Sequence, residues 1–249
     1  TIQLQRAICE RQLKKPDRAY ARLHDLPAVP ESFTARSEAG PLPVLEDYRA
    51  FWMARSLEDM GEERGATAAY EALLITSNNP LLHHSARLRL AALYRADDQP
   101  AKALPLYEEQ MAHSPDQAPQ LLYLLAATSA EAKNPQGAQK WRLKLLANHP
   151  KTRQALKSLG KLPRKPDAAT AYAAAQVRHG HGQFAQAIKG FERFVREYPR
   201  DRRVAEARFM LARSYQGAGQ YAKAEKTFTE VYDKYGRPSA LYRIAGIKV

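Results

Sequence analysis

The chain has 249 residues, of which 45% are hydrophobic and 26% charged, with 39 Lys and Arg against 26 Asp and Glu. These fractions are ordinary for folded globular proteins, so they exclude a disordered or collagen-like chain, and the single cysteine excludes an internal disulfide. The sequence has no run of 18 apolar residues and therefore no candidate membrane span.

The net charge of +13 is concentrated in the second half of the chain. Residues 119–249 contain 25 basic and 9 acidic residues, whereas residues 41–118 contain 7 basic and 12 acidic residues. Such asymmetry favours anionic partners such as acidic peptides, anionic cell-wall polymer, phospholipid or nucleic acid, although a basic surface also serves solubility alone. The charge therefore predicts a class of partner and not its identity.

The first 44 residues are predicted to form a helical hairpin and a linker. Residues 1–25 have the pattern of a degenerate hairpin interrupted at Pro16, and Cys9 within it is expected to be a small buried hydrophobe. Residues 26–44 are rich in Pro and polar residues, which is typical of a linker. The N-terminal stretch lacks the apolar centre of a signal peptide, so an exported form of the protein would already have lost its leader.

Residues 45–150 and 168–249 carry a repeated helical-hairpin pattern, with three units in the first range and two in the second. Each unit places a small residue four positions before a large one in its second helix, which lets the paired helices approach closely. Ser239–Val249 resembles the first helix of a further unit. The key alanines lie 35 to 37 residues apart, except across one interval of 49, and are Ala66, Ala103, Ala138, Ala187 and Ala224.

This pattern resembles the tetratricopeptide repeat, over about residues 45–238. The resemblance implies an all-α fold, a right-handed superhelix of stacked antiparallel helix hairpins with a concave groove. One hairpin cannot bury its own apolar face, so the units are expected to stack.

A basic insertion, residues 151–167, interrupts the repeats and is expected to contain a short helix over residues 152–159 and a Pro-punctuated linker. The insertion contains six basic residues. They are predicted to form an anion-binding patch, which consists of Lys151, Arg153, Lys157, Lys161, Arg164 and Lys165.

The concave groove is the main candidate binding site. First-helix positions that are not used for packing would face the groove, and several of them carry aromatic rings with Arg or Gln four residues later. Rings stack on flat apolar groups and Arg binds carboxylates with two hydrogen bonds, so this set suits an extended peptide or a glycan. Alternatively, the rings pack between successive first helices. The predicted groove residues are Tyr48, Phe51, Arg55, Tyr123, Tyr172, Gln176 and Arg213.

The segment 45–57 resembles the entry helix of soluble lytic transglycosylases. It contains an Asp-Tyr pair, an aromatic-Trp pair and Ala-Arg-Ser-Leu, and it follows a Pro-Leu-Pro lead-in at residues 41–43. In that family a helical superhelix precedes a lysozyme-like domain that cleaves peptidoglycan, so the resemblance implies a bacterial envelope protein in the periplasm. The family's catalytic Glu-Ser pair continues into a Gly-Leu-Met-Gln stretch that this chain lacks. Glu31-Ser32 lies upstream of the repeats, so no catalytic residue is assigned.

Other chemistry is poorly represented in the sequence. There is no Gly-rich phosphate loop, and neither His83-His84 nor the pair His179 and His181 has the i, i+4 spacing of a helical zinc site, so no cofactor or metal is predicted. Nucleic acid ranks last among the partners because few aromatic residues accompany the basic cluster.

Two functions fit the sequence. The first is a non-catalytic scaffold that binds a protein, a peptide or an anionic polymer in its groove. The alternative is the superhelical part of a lytic transglycosylase acting on peptidoglycan, with its catalytic domain absent from this chain. A periplasmic location follows from the envelope resemblance alone, and the cytoplasm is the alternative.

Overall fold

The computed structural model describes residues 2–26 and 43–235, and this part of the chain is all-α. It contains 13 α-helices, two short 3₁₀ turns (Pro115–Gln117 and Leu159–Lys161) and no strand. The predicted all-α fold of antiparallel helix hairpins is therefore confirmed. The helices are α1 (Ile2–Gln12), α2 (Pro16–His24), α3 (Pro43–Asp59), α4 (Glu63–Thr76), α5 (Pro80–Ala96), α6 (Pro100–His113), α7 (Ala118–Glu131), α8 (Pro135–Asn148), α9 (Arg153–Ser158), α10 (Ala168–Gly180), α11 (Phe184–Glu197), α12 (Val204–Gly217) and α13 (Tyr221–Tyr235).

Six helix-to-helix turns share one backbone motif that reverses the chain. Each contains a residue with positive φ, and the next N–H donates to the carbonyl five residues earlier, as Gln220 does to Tyr215 at 2.9 Å. This is the Schellman arrangement, which satisfies carbonyls at the end of the first helix. Glycine occupies half of these positions because it adopts positive φ without strain. The positive-φ residues are Lys14, Gly61, Asp98, Lys133, Gly182 and Gly219.

The chain forms two compact units. Unit 1 comprises Thr1–Pro115 with Glu131–Lys133, and unit 2 comprises Asp116–Ala130 with Asn134–Val249. The core of unit 1 is built around Tyr70 and Leu73, and a core of unit 2 around Phe191 and Phe194, all of them at most 1% exposed. All five repeat alanines are buried, with at most 4% of their surface exposed; they are Ala66, Ala103, Ala138, Ala187 and Ala224.

The N-terminal hairpin packs against α3, but not through the residue expected. Helix α1 turns Leu4 and Ala7 inward, and Cys9 lies outside that face. The expectation that Cys9 is buried is therefore wrong, because the thiol is exposed. Helix α3 begins at Pro43, inside the predicted linker. Residues 27–42 of that linker and the final predicted helix, Ser239–Val249, lie outside the described residues.

The basic insertion returns the chain along the length of α8, so that α10 runs parallel to α8. At one end of the pair, Gln139 Nε2 donates to Thr170 Oγ1 at 3.0 Å. At the other end, a Cβ added to Gly180 would lie 3.8 Å from the carbonyl oxygen of Pro150. The starts of α8 and α10 are therefore neighbours, and so are their ends.

The insertion is fixed to the body of unit 2. Within it, Ala155 and Ser158 are buried, and Thr152 caps α9 by accepting a hydrogen bond from the N–H of Ala155. The Tyr198 hydroxyl donates to the carbonyl of Pro166 at 2.6 Å. The insertion is therefore a packed element of unit 2.

Candidate functional site

Helices α10 and α12 lie side by side in unit 2 and together form a polar strip. Residues at i, i+4 and i+7 share one side of a helix, so Tyr172, Gln176 and His179 align along α10, and Glu206 and Arg213 align along α12. Helix α10 contacts α12. We call these five residues the α10/α12 face.

One end of this face is a hydrogen-bonded group around Tyr172. The Tyr172 ring is 5% exposed and packs edge-on against Phe191. Its hydroxyl accepts from Gln176 Nε2 at 2.9 Å. Burial and, after it, the hydrogen bond and charge of Glu206 raise the pKa of Tyr172 above its ordinary value. Tyr172 is therefore a core residue whose hydroxyl alone takes part in the polar strip.

The other end of the face is basic. His179 Nδ1 lies 2.9 Å from the Ser214 hydroxyl, and burial lowers the pKa of His179, with further lowering by the nearby charges of Arg213 and Lys151. Lys151 is exposed. Its side chain passes close to Gly180, because a Cβ added to Gly180 would lie 3.3 Å from Lys151 Cγ. Among the described residues, no carboxylate lies within 4.0 Å of Arg213 or Lys151. Elsewhere in the same residues, 13 contacts join a basic side chain to a carboxylate within this distance. This end therefore carries positive charge without an internal counter-charge.

The corresponding helices of unit 1 present a neutralised surface instead. Glu58 on α3 binds Arg55 at 3.1 Å and Arg89 of α5 at 2.7 Å, and it accepts a hydrogen bond from Tyr70 at 3.0 Å. A cleft of about 310 Å³ beside this cluster is lined by Glu58, Arg89 and Leu88 among others. Because its cations are already paired, this face is the weaker candidate for an anionic ligand.

The predicted groove residues separate into two groups. Phe51 and Arg55 are buried at 8% and 7% exposure, like Tyr172, so these side chains pack inside the units. The Phe51 ring packs edge-on against Trp52 of the same helix and against Tyr70 of α4, so it belongs to the core of this hairpin.

The remaining predicted groove residues are at least partly accessible. Tyr48 is half-buried and packs against two apolar clusters of unit 1, and Tyr123 on α7 is also half-buried. Gln176 and Arg213 are half-buried on the α10/α12 face. His179 also lies on this face, although it is not among the predicted groove residues; its spacing of three residues from Gln176 places both on one side of α10.

The six basic residues of the insertion are all exposed, but they do not form one patch. Lys151 lies at the basic end of the α10/α12 face, whereas Lys161 and Lys165 line a cleft beside the start of α8. Arg164 lines a smaller cavity against α10 and α11, and α9 carries the remaining two, Arg153 and Lys157. The predicted single patch is divided because the insertion runs back along α10, which places its two ends at opposite ends of that helix.

The described residues include no group of three or more His, Cys, Asp or Glu side chains that could hold a metal ion. Over the same residues, no helix is both long and apolar enough to cross a membrane. The Glu31-Ser32 pair lies outside the part of the chain that the structure describes.

Comparisons with known proteins identify the repeats of unit 2. The family model "Tetratricopeptide repeat" matches residues 167–201 and 206–237, which correspond to the hairpins α10–α11 and α12–α13. These two hairpins therefore match the tetratricopeptide-repeat pattern. No curated protein matches the chain significantly.

Several solved structures are similar to this chain. A tetratricopeptide repeat protein from Parabacteroides merdae has 17% identity, with 98% of this chain and 83% of that chain covered, and a TM-score of 0.47. MamA from Desulfovibrio magneticus RS-1 has 16% identity, coverages of 93% and 92%, and a TM-score of 0.35. YrrB, described as a tetratricopeptide-repeat protein with an unusual peptide-binding site, has 15% identity, coverages of 80% and 90%, and a TM-score of 0.34.

None of these comparisons supports the resemblance to lytic transglycosylases. Peptidoglycan binding and the periplasmic location therefore stay predictions from the sequence.

Proposed function

We propose that this chain is a non-catalytic scaffold that binds an extended segment of a partner protein along the α10/α12 face, with an acidic group of the partner between Lys151 and Arg213. The observation that carries the proposal is the absence of a carboxylate within 4.0 Å of either cation among the described residues, although both lie close enough to lower the pKa of His179. A charged hydrogen bond to a carboxylate is stronger than a neutral one, so an incoming acidic group would gain at this position.

The rest of the face suits a polypeptide. Gln176 is half-exposed and carries both a donor and an acceptor, which matches the alternating N–H and C=O groups of an extended chain. Its amide is held by the Tyr172 hydroxyl, which is in turn held by Glu206. A preorganised amide loses less conformational entropy on binding than a free side chain does.

The pair His179 and Ser214 has the composition of a base and a nucleophile, but its geometry opposes catalysis. Ser214 is fully buried, and its hydroxyl donates to the carbonyl of Met210 at 2.7 Å. A nucleophile must reach its substrate, so this serine serves as a structural partner of His179. The pair therefore supports a binding role.

The test is a selection of random peptides displayed on phage against the full chain, followed by affinity measurements on matched variants. We expect the selected peptides to share an acidic residue and Arg213→Gln to weaken their binding by about tenfold or more. The control Arg196→Gln removes the same charge from a side chain that is 74% exposed, and it should leave binding unchanged.

A second readout is the pKa of His179, followed by NMR. A bound acidic group would offset the two cations and raise this pKa. Selected peptides without acidic residues, or equal affinity for wild type and Arg213→Gln, would contradict the proposal. Cosedimentation with purified sacculi tests the glycan alternative, because retention that depends on Arg213 would assign the face to peptidoglycan instead.

A further inference from the structure

A surface distinct from the α10/α12 face lies near the starts of α8 and α10. It is an open cleft of about 690 Å³ between the first half of α8 and the end of the insertion. Its cationic lining residues are Arg142 from α8 and Lys161 and Lys165 from the insertion. None of these residues belongs to the α10/α12 face, so an inference about the cleft stands independently of the proposed function.

Arg142, like Arg213, differs from several partly buried arginines of the described residues that are paired with a carboxylate. Arg22, Arg87 and Arg203 each have a carboxylate oxygen within 2.7 Å. Arg142 has no carboxylate within 4.0 Å among the described residues, and burial lowers its pKa. An unpaired, partly desolvated guanidinium is costly, and an incoming anion would remove that cost.

Asp167, the one acidic side chain that lines the cleft in the described part of the chain, is already engaged. Asp167 accepts a hydrogen bond from the backbone N–H of Thr170 at 2.7 Å and thereby caps α10. The carboxylate is thus held at the helix terminus, where it serves the first-turn N–H groups. Even with its charge counted, the three cations leave the cleft with two net positive charges.

The parallel arrangement of α8 and α10 adds to this positive potential. Helix α8 begins at Pro135, which lines the cleft, and α10 begins at Ala168, directly after Asp167. A helix N-terminus carries a partial positive charge, and two parallel neighbours bring two such ends to one place. Antiparallel neighbours would have placed one positive and one negative end there.

The backbone of the segment that carries the two lysines of the cleft is anchored to the body of unit 2. Leu162 and Pro166, which flank Lys165, line a small cavity against Phe194 of α11. The hydrogen bond from Tyr198 to Pro166 fixes the same segment. The cations thus stand on an anchored segment, which reduces the entropy lost when a ligand orders them.

We propose that this cleft is a binding site for a phosphate group with two negative charges, held by Arg142, Lys161 and Lys165. A dianion matches the net charge of the lining better than a single carboxylate does, and the guanidinium can bind two phosphate oxygens at once. Among the described residues, no aromatic side chain lines the cleft, so they offer a nucleobase no ring to stack on. The same phosphate chemistry is offered by free inorganic phosphate and by a phosphorylated side chain.

Isothermal titration calorimetry of the full chain with inorganic phosphate and with O-phosphoserine tests the site and separates these two sources. The double variant Lys161→Gln/Lys165→Gln changes exposed residues only and should bind the better probe about tenfold more weakly or worse. The matched control is Lys189→Gln/Lys226→Gln, which removes the same charge from exposed positions on α11 and α13. It should bind like wild type, and Arg142→Gln should bind like the cleft variant.

Three results would overturn the proposal. The first is that wild type binds neither probe. The second is that the control variant loses as much affinity as the cleft variant, which would show that the probes bind through diffuse surface charge. Finally, a hexaglutamate peptide could bind more tightly than both phosphates through the same residues, which would assign the cleft to carboxylates.

Discussion

The left-handed residue in each hairpin turn leads to a quantitative prediction for Gly219. This residue has φ of +74°, and a Cβ added there would meet no atom of the described residues within 4 Å. Replacement by alanine therefore tests the backbone conformation alone. Gly160 is the matched control in the same unit, because a Cβ there also meets nothing and its φ is not in the left-handed region.

The magnitude follows from two opposing effects. Holding an L-residue in the left-handed region costs about 1–2 kcal/mol. Exchanging glycine for alanine also reduces the conformational freedom of the unfolded chain, which stabilises the fold by about 0.4–1 kcal/mol. We expect Gly160→Ala to gain the second amount and Gly219→Ala to lose about 0.5–1 kcal/mol net. The difference between the two variants isolates the φ strain of about 1–2 kcal/mol.

Urea unfolding followed by tryptophan fluorescence measures this difference within one unit. The chain has two tryptophans, Trp52 in unit 1 and Trp141 in unit 2. In a Trp52→Phe background the signal reports on unit 2 alone. Equal unfolding midpoints for Gly219→Ala and Gly160→Ala would refute the positive φ of this turn and, with it, the motif assigned to all six turns.

Two further predictions concern unit 2. The pKa of His179 is lower in the folded chain than in the unfolded chain, so the unfolded chain binds a proton more readily below about pH 6.5, and this residue makes unit 2 less stable as the pH falls from 7.5 to 5.5. His179→Gln should therefore flatten the pH dependence of the unfolding midpoint measured by Trp141 fluorescence, and an unchanged slope would contradict the lowered pKa of His179. Tyr198→Phe removes the donor to the carbonyl of Pro166 and should cost about 1 kcal/mol and accelerate amide exchange in residues 161–167, whereas Tyr232→Phe, at an exposed position, should do neither.

The hairpin architecture could be predicted because its signals are local. The spacing of Ala66, Ala103 and Ala224 depends only on helix periodicity and on the need for a small residue where two helices approach. Buried alanines at these positions follow from the same requirement. The burial of Arg55 could also be predicted from the sequence, since Glu58 and Asp59 follow at i+3 and i+4 and can pair with it on one side of the helix.

The candidate sites could not be predicted in the same way, because they depend on the path of the insertion. Nothing in the local pattern of residues 151–167 states that the segment returns along α8. That return brings Lys151 to the environment of His179 and takes Lys161 to Arg142. The sequence identifies the cations of the insertion, but their division between two sites depends on how the folded chain packs.

The parallel course of α8 and α10 also limits how this protein could have been assembled from duplicated hairpins. Helix α8 has 14 residues and is about 21 Å long, so a connection that joins its end to a neighbouring parallel start needs at least about six extended residues. An ordinary turn between repeats is too short, and deleting the insertion down to such a turn would force α10 to point the opposite way. A repeat exchanged across this junction would therefore have to bring the insertion with it, whereas hairpins joined by short turns need no such segment.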